Sequence, residues 1–334
     1  MADAGERTQR TFSRDPLTSV IPCNHGHRAL IALRLPHALR GALSVLALVL
    51  NTVIITASLV PPALLKLFVP AAAARRAADR ALSALASAWV AINNAWISAV
   101  RPDARWDVQG VAALHPRGWY LVTSNHQSWV DILVLQRIFH GRVPFLKFFL
   151  KRELIWVPVI GLAWWALDFP FMSRGSSPGA RGQDLEATRR ACEKFKRIPT
   201  SVMNFLEGTR FTPAKHAEQK SRYRHLLKPK VGGLGIALAT MGEQFEALLD
   251  VTIVYPHGAP RFAALMCGRL DAVIVRVQRR DIPPELLGTT AGDERAQHRR
   301  LSRWVEQQWV EKDQLIDDLL RTAEREPDEV RALA

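Results

Sequence analysis

The residues best suited to chemistry lie in the segment Leu121–Leu133, which reads LVTSNHQSWVDIL. The pattern predicts an apolar strand that ends at a polar turn carrying Asn125 and His126, followed by the start of a helix. Four residues separate His126 from Asp131, so a carboxylate in the first helical turn could hydrogen-bond one imidazole nitrogen and make the other more basic. Such a pair could take a proton from an alcohol, and the nucleophile would then be the substrate's own hydroxyl.

The same segment also has a purely structural interpretation. Ser128 and Asp131 have the spacing of an N-terminal capping box, in which Ser128 caps the helix and Asp131 reaches back to it. In that case Asp131 is only a cap and His126 is only a turn residue. The spacing alone leaves both interpretations open.

Four segments, in order along the chain, resemble the sequence blocks of the glycerolipid acyltransferase superfamily, which contains the bacterial lysophosphatidate acyltransferases. They are NHQSWVD at Asn125–Asp131, the segment Lys151–Arg174, FLEGTR at Phe205–Arg210 and VTIVYP at Val251–Pro256. A Lys-x-Gly element at Lys230–Gly232 lies between the third block and the fourth. The forms NHQSWxD and FLEGTR resemble the lysocardiolipin acyltransferase-like branch and its bacterial relatives.

The resemblance implies a role for each block. His126 would be the general base that deprotonates the acceptor hydroxyl, and Asp131 would orient its imidazole, so that no acyl-enzyme is needed. Arg174 and Arg210 would bind the acceptor's phosphate through their planar guanidinium groups, and Glu207 would bind a hydroxyl. The other residues expected to bind substrate are Asn125, Ser128, Gly208, Thr209, Lys228, Lys230 and Pro256.

The implied reaction is transfer of a fatty acyl group from acyl-CoA or acyl-carrier protein to the free hydroxyl of a lysophospholipid, such as 1-acyl-glycerol-3-phosphate. These donors are co-substrates, and no cofactor or metal is expected. Ser173 stands where many lysophosphatidate acyltransferases have Asp, and Leu206 stands where they have Pro. These departures put the acceptor's identity in doubt. The alternatives are another lyso-lipid acceptor and a catalytically silent membrane adaptor on the same fold.

The segment Gly41–Val60 carries no charged residue and is long enough to cross a membrane, which takes about 20 apolar residues. Pro61 and Pro62 are expected to break or bend this helix, before a shorter apolar run at Ala63–Ala74. Positive residues lie on both sides of the apolar stretch: Arg28, Arg34 and Arg40 before it, and Arg75, Arg76 and Arg80 after it. The positive-inside rule therefore favours a helical hairpin over a single span.

The chain has 45 Lys and Arg against 31 Asp and Glu, a net charge of +14 that should attract polyanions. No nucleic-acid-binding motif is evident, so the apolar segment favours membrane lipid over nucleic acid as the partner. Cys23, Cys192 and Cys267 form no CxxC pair, so neither a zinc site nor a disulfide framework is indicated. The composition and the resemblance predict a protein of the bacterial inner membrane with its active site on the cytoplasmic side.

Alternating strand and helix patterns predict an α/β fold, and the resemblance implies a central mixed sheet flanked by helices and preceded by a helical membrane anchor. We divide the chain into a polar arm at 1–40, an anchor at 41–100, an acyltransferase domain at 101–290 and a charged C-terminal helix at 291–334. Within the anchor, Ala81–Val100 is expected to lie at the bilayer interface or at the seam with the domain. A further charged helix is predicted at Asp184–Arg197.

Overall fold

The computed structural model describes residues 36–148, 150–169, 171–172, 199–287 and 294–332. In chain order, the strands β1 to β8 are Arg105–Gln109, Tyr120–Ser124, Leu146–Phe148, Leu150–Lys151, Phe171–Met172, Ser201–Phe205, Ala247–Val254 and Ala272–Arg280. The helices α1 to α8 are His37–Phe68, Ala72–Val100, Val130–Phe139, Ile160–Ala166, Pro213–Gln219, Gly232–Met241, Phe262–Met266 and Glu294–Ala332. Short 3₁₀ segments lie at Arg152–Trp156, Gly242–Gln244 and Pro284–Leu286.

The main sheet is mixed and has six strands in the order β1-β8-β7-β2-β6-β3. Strand β2 pairs in parallel with both β6 and β7, and β6 pairs in parallel with β3. Only the far side of the sheet reverses direction, where β8 runs antiparallel to β7 and parallel to β1. The predicted α/β fold with a mixed sheet flanked by helices is therefore confirmed. Because β2, β3, β6 and β7 share one direction, their carboxyl ends meet at one edge of the sheet.

The central strand β2 is buried on both faces, because successive side chains of a strand point to opposite sides. Tyr120 and Val122 belong to a hydrophobic cluster that also contains Leu135 of α3. Leu121 belongs to a second cluster on the other face, with Leu238 of α6. Full burial of each such apolar side chain stabilises the fold by about 1.5–3 kcal/mol. The strand that leads into the His126 turn is therefore held firmly from both sides.

Helix α1 runs without interruption through Pro61 and Pro62, so the predicted break at these prolines is wrong. The packing of α1 against α2 outweighs the lost backbone hydrogen bonds, because Leu59 and Leu82 from the two helices share one buried cluster. The chain turns only after Phe68, and α2 begins at Ala72. The two helices form a hairpin, whose second arm is the whole of α2 rather than the short run Ala63–Ala74.

Helix α2 lies between α1 and the sheet domain. Asn51 of α1 donates a hydrogen bond from Nδ2 to Oδ1 of Asn93 of α2, at 2.9 Å. On the opposite side, the guanidinium of Arg137 of α3 donates to the carbonyl oxygen of Asn94, at 3.0 Å. The segment Ala81–Val100 is thus the second part of α2 and occupies the seam, which was one of its two predicted positions.

Both ends of α1 contact the same domain. Near its start, the Ser44 hydroxyl donates to the carbonyl oxygen of Met266, at the end of α7, at 2.9 Å. Near its end, Lys66 forms an ion pair with Asp168, which follows α4. Among the described helices, α1 is long and apolar enough to cross a membrane, and its 32 residues extend about 48 Å. Contacts with one domain at both ends favour the hairpin over a single span.

Candidate active site

His126 lies in the turn between the carboxyl end of β2 and the first residue of α3. Its Nδ1 donates a hydrogen bond to Oδ2 of Asp131, at 2.9 Å. This contact fixes the imidazole tautomer, because the proton on Nδ1 leaves the lone pair on Nε2. Within the described part of the chain, Nε2 has no hydrogen-bond partner. The arrangement is that of a general base that is oriented by a carboxylate.

Asp131 is completely buried, and its carboxylate accepts four hydrogen bonds. Besides His126, the backbone N–H groups of Gln127 and Ser128 donate to Oδ2, at 2.6 and 2.8 Å. The hydroxyl of Tyr255 donates to Oδ1, at 2.6 Å. The Ser128 contact is the reach-back bond of a capping box, so Asp131 caps α3 and orients His126 at the same time. The cap and the contact with His126 therefore occur together in the structure, and the catalytic role of the pair stays a prediction.

Asn125 and Ser128 hydrogen-bond the turn that carries His126 to neighbouring segments. The side-chain amide of Asn125 donates to the carbonyl oxygen of Ile253 in β7, at 2.8 Å, and accepts from its N–H, at 2.9 Å. The Ser128 hydroxyl accepts from the N–H of Val130, at 3.1 Å, and donates to the carbonyl oxygen of Pro260. Both side chains are buried. These contacts favour positioning roles over the substrate contacts that the sequence predicted.

Glu207 is also completely buried, at the turn that follows β6. Its Oε1 accepts from the N–H of His126, at 2.7 Å, and its Oε2 accepts from the N–H of Leu227, at 2.9 Å. The two carboxylate oxygens of Glu207 therefore connect two backbone segments, whereas the sequence predicted a contact with an acceptor hydroxyl. Burial raises the pKa of Glu207 to about 7, against the opposing effect of the two N–H donors.

Phe205 and Tyr255 are site residues that the sequence did not single out. The Phe205 ring stacks on the imidazole of His126, with centroids 3.9 Å apart and planes 14° apart. Tyr255 is buried beside Asp131, and burial raises the pKa of its phenol, with the charge of Asp131 adding to the effect. Both residues lie inside the recognised blocks, but only the folded sheet brings them to the His126–Asp131 pair.

Polar and basic groups gather beside the turn after β6. Gly208 has φ of +66°, a conformation that glycine adopts without strain. A Cβ at this position would lie 3.1 Å from Cδ of Lys230, so the Lys230 chain packs over the turn. Lys215, which the sequence did not indicate, donates from Nζ to Oγ1 of Thr209, at 2.7 Å. The exposed Arg210 places its guanidinium carbon 4.9 Å from the ring centre of Trp129, just before α3.

The remaining predicted site residues are less closely connected to His126. Pro256 is half-buried and follows Tyr255 directly at the end of β7. Lys228 is exposed, and its backbone N–H donates to the side chain of Gln219, at 3.2 Å. Arg174 lies outside the described residues, together with Cys23, Cys192 and the predicted helix Asp184–Arg197. Their roles stay predictions.

A cavity of about 750 Å³ lies at the other end of the sheet, away from His126. It opens between α2, α3 and the start of β3, and its wall includes Leu82, Phe139 and Leu146. Its two carboxylates, Asp79 and Asp168, both form ion pairs with Lys66. The wall also includes His140, and the His126–Asp131 pair lies at the opposite edge of the sheet.

Residues 105–256 match the family model described as Acyltransferase. The match identifies this segment as an acyltransferase domain. The resemblance predicted from the four blocks is thereby confirmed. The match covers β1 through the end of β7 and contains His126, Asp131, Glu207 and Tyr255.

Several known proteins are similar to this chain over part of its length. The chain is 26% identical over 219 residues to human 1-acyl-sn-glycerol-3-phosphate acyltransferase delta, covering 60% of this chain and 53% of that protein. It is 26% identical over 232 residues to an uncharacterised acyltransferase of Schizosaccharomyces pombe, covering 60% of each. The alignments thus span between about half and three-fifths of these relatives. A crystal structure of the 1-acyl-sn-glycerophosphate acyltransferase of Thermotoga maritima aligns with a TM-score of 0.47 and 21% identity, over 81% of this chain and 97% of that one.

Tyr255→Phe removes the hydroxyl that binds Asp131 and keeps the ring. Loss of one buried hydrogen bond to a charged group should lower kcat of acyl transfer about tenfold, with KM nearly unchanged. Tyr120→Phe, in the neighbouring strand, is the matched control, because Tyr120 is equally buried but its hydroxyl contacts the backbone of His115. Steady-state kinetics of the two variants provide the test. Equal kcat values for them would contradict the assigned contact.

The raised pKa of Glu207 predicts a pH-dependent stability. The carboxyl ionises near pH 4.5 when exposed and near pH 7 when folded, so its stabilising contribution is complete below pH 4.5 and is lost as pH rises through 7. The free energy of unfolding of the wild type should fall relative to that of Glu207→Gln, by at most about 1.4 kcal/mol per pH unit in this window. Denaturant unfolding in detergent between pH 5 and pH 8 measures the difference. Parallel pH profiles would show that Glu207 does not titrate there.

Proposed function

We propose that this chain transfers a fatty acyl group from an acyl thioester to the free hydroxyl of a lysophospholipid, 1-acyl-glycerol-3-phosphate or a close relative. The observation that carries the proposal is the 2.9 Å bond from His126 Nδ1 to Asp131, which leaves Nε2 as a base. The acyltransferase family match and the names of the relatives support the same reaction class.

In this mechanism, His126 Nε2 accepts the proton of the acceptor hydroxyl as its oxygen attacks the thioester carbonyl. The tetrahedral intermediate then collapses, the carbon–sulfur bond breaks, and the departing thiolate takes the proton from the imidazolium. Asp131 stabilises the imidazolium during both steps, and Tyr255 holds the second carboxylate oxygen. The alcohol is itself the nucleophile, so the protein forms no covalent intermediate.

The substrates carry negative charge, and the edge of the site offers positive groups to bind it. Arg210 lies over Trp129 at the start of α3, and Lys215 and Lys230 flank the turn at Gly208. Phosphate oxygens of the acceptor, or of acyl-CoA, fit these cations. An acyl-carrier protein as donor would also be attracted, because the acidic surface of such a carrier complements this chain's net charge of +14. Binding of the acceptor phosphate by Arg174 remains part of the proposal.

The exposed apolar surface supports a membrane location for the reaction. The outer face of α1 exposes a series of large apolar side chains, including Leu46, Ile54 and Phe68. Helix α4 packs against α1, and beside it the side chain of Trp156 is 85% exposed. We propose that α1 and the segment around α4 contact the lipid together, so that the site meets both substrates at the bilayer surface. A cytoplasmic-side location in a bacterial inner membrane is part of this proposal.

The test is acyl transfer by the purified protein in lipid micelles, with radiolabelled oleoyl-CoA and a panel of lysophospholipids. His126→Ala should reduce transfer about a thousandfold, because it removes the general base. His140→Ala, at the end of α3 and away from the site, is the matched control and should retain activity. The lysophospholipid that is acylated fastest identifies the acceptor. Near wild-type transfer by His126→Ala would exclude the proposed base. Inactivity of the wild type with every acceptor, with oleoyl-CoA and also with an acyl-carrier protein as donor, would favour a silent adaptor.

A further inference from the structure

The C-terminal helix α8 lies outside the family-matched segment, yet it packs directly on the sheet. The sequence predicted a charged C-terminal helix here. The structure shows that one face of this helix supplies part of the second hydrophobic cluster. The side chains buried on this face recur every three or four residues, as expected for one stripe of a helix. Among them are Leu301, Val305, Trp309, Lys312 and Ile316.

A chain of hydrogen bonds connects Trp309 of this helix to the catalytic histidine. The fully buried indole donates from Nε1 to the carbonyl oxygen of Leu227, at 2.9 Å. The N–H of Leu227 donates to Oε2 of Glu207, at 2.9 Å, and Oε1 of Glu207 accepts from the N–H of His126, at 2.7 Å. The position of His126 in its turn is therefore linked to α8 through the backbone of one residue, Leu227, and one carboxyl group, that of Glu207.

Lys312 makes a second contact with the site's framework, one helical turn further along. Its ammonium group is fully buried and pairs with Asp250 of β7, at 2.7 Å. It also donates to the carbonyl oxygen of Val251, at 2.6 Å, and to the hydroxyl of Thr252, at 3.0 Å. Strand β7 ends beside Tyr255, which binds Asp131. Helix α8 thus contacts β7, which leads to the Tyr255 that binds Asp131. It also contacts Leu227, which binds the Glu207 that supports His126.

We propose that α8 is a positioning element of the active site and that Trp309 acts on His126 through Leu227 and Glu207. The inference rests on the proposed function, since it assigns Trp309 a part in the reaction that His126 performs. Trp309 touches neither the reacting atoms nor His126 itself. By holding the carbonyl of Leu227, it keeps the backbone of this residue where the N–H on the other side of its Cα meets Glu207.

Removing the indole N–H should loosen this chain without removing the helix. Trp309→Phe keeps an aromatic ring in the cluster but leaves the buried carbonyl of Leu227 without its donor, an unfavourable state that the peptide can relieve by moving. Such a movement weakens the Leu227–Glu207 bond and gives the His126 turn more freedom. The expected result is a fall in kcat of about fivefold, with KM for donor and acceptor within about twofold of the wild type.

The matched control is Trp304→Phe, the same substitution on the same helix. Trp304 is half-buried and packs against the same cluster. Each variant is assayed with oleoyl-CoA and the best lysophospholipid acceptor, and its backbone hydrogen exchange is followed by mass spectrometry. Peptides covering residues 121–130 and 222–231 report on the two linked segments, and a peptide within β8 reports on the integrity of the fold.

Faster exchange in both linked segments of Trp309→Phe but not of Trp304→Phe, together with the lower kcat, would support the proposal. Unchanged exchange in these segments, or equal changes in the two variants, would overturn it. The two inferences are distinguishable, because exchange does not depend on turnover. Selective loosening by Trp309→Phe in a protein that transfers no acyl group would support the coupling and contradict the proposed function.

Discussion

The site is organised around the buried carboxylate of Asp131. A buried charge is costly unless its oxygens are hydrogen-bonded, and this one receives four donors. Two are backbone groups of Gln127 and Ser128, which shape the turn, and the others are His126 and Tyr255. One carboxylate thereby sets the start of α3, the tautomer of the histidine and the distance from β2 to the end of β7. Disturbing this group should disturb the turn and the base together.

The sheet brings the groups of the site together because three of its parallel strands end at the same edge. The end of β2 carries His126, the end of β6 leads to Glu207, and the end of β7 carries Tyr255. Asn125 joins the first of these ends to the third through Ile253, and Glu207 joins the first to the second through the N–H of His126. The turn that carries His126 is thus held on both sides before any substrate binds, which is what the proposed acid–base chemistry requires.

The sequence predicted the local part of this site and missed the long-range part. His126 and Asp131 are close along the chain, so a strand followed by a helix was sufficient to bring them together. Tyr255 lies 124 positions from Asp131, and only the pairing of β2 with β7 reveals their contact. The sequence predicted that Glu207 contacts substrate, because a motif shows which residues are polar but not which of them are buried. The continuation of α1 through its two prolines likewise depended on packing against α2, which no local pattern contains.

The most direct test of the central claim is the rate of acyl transfer by Asp131→Asn, measured in lipid micelles under saturating oleoyl-CoA and acceptor. The amide keeps the size of the side chain but cannot stabilise an imidazolium as a carboxylate does. We expect kcat to fall by about 10³- to 10⁴-fold, while binding of the protein to lipid vesicles stays unchanged. A kcat within a few fold of the wild type, with vesicle binding retained, would contradict the assignment of Asp131 as the group that orients and stabilises the base.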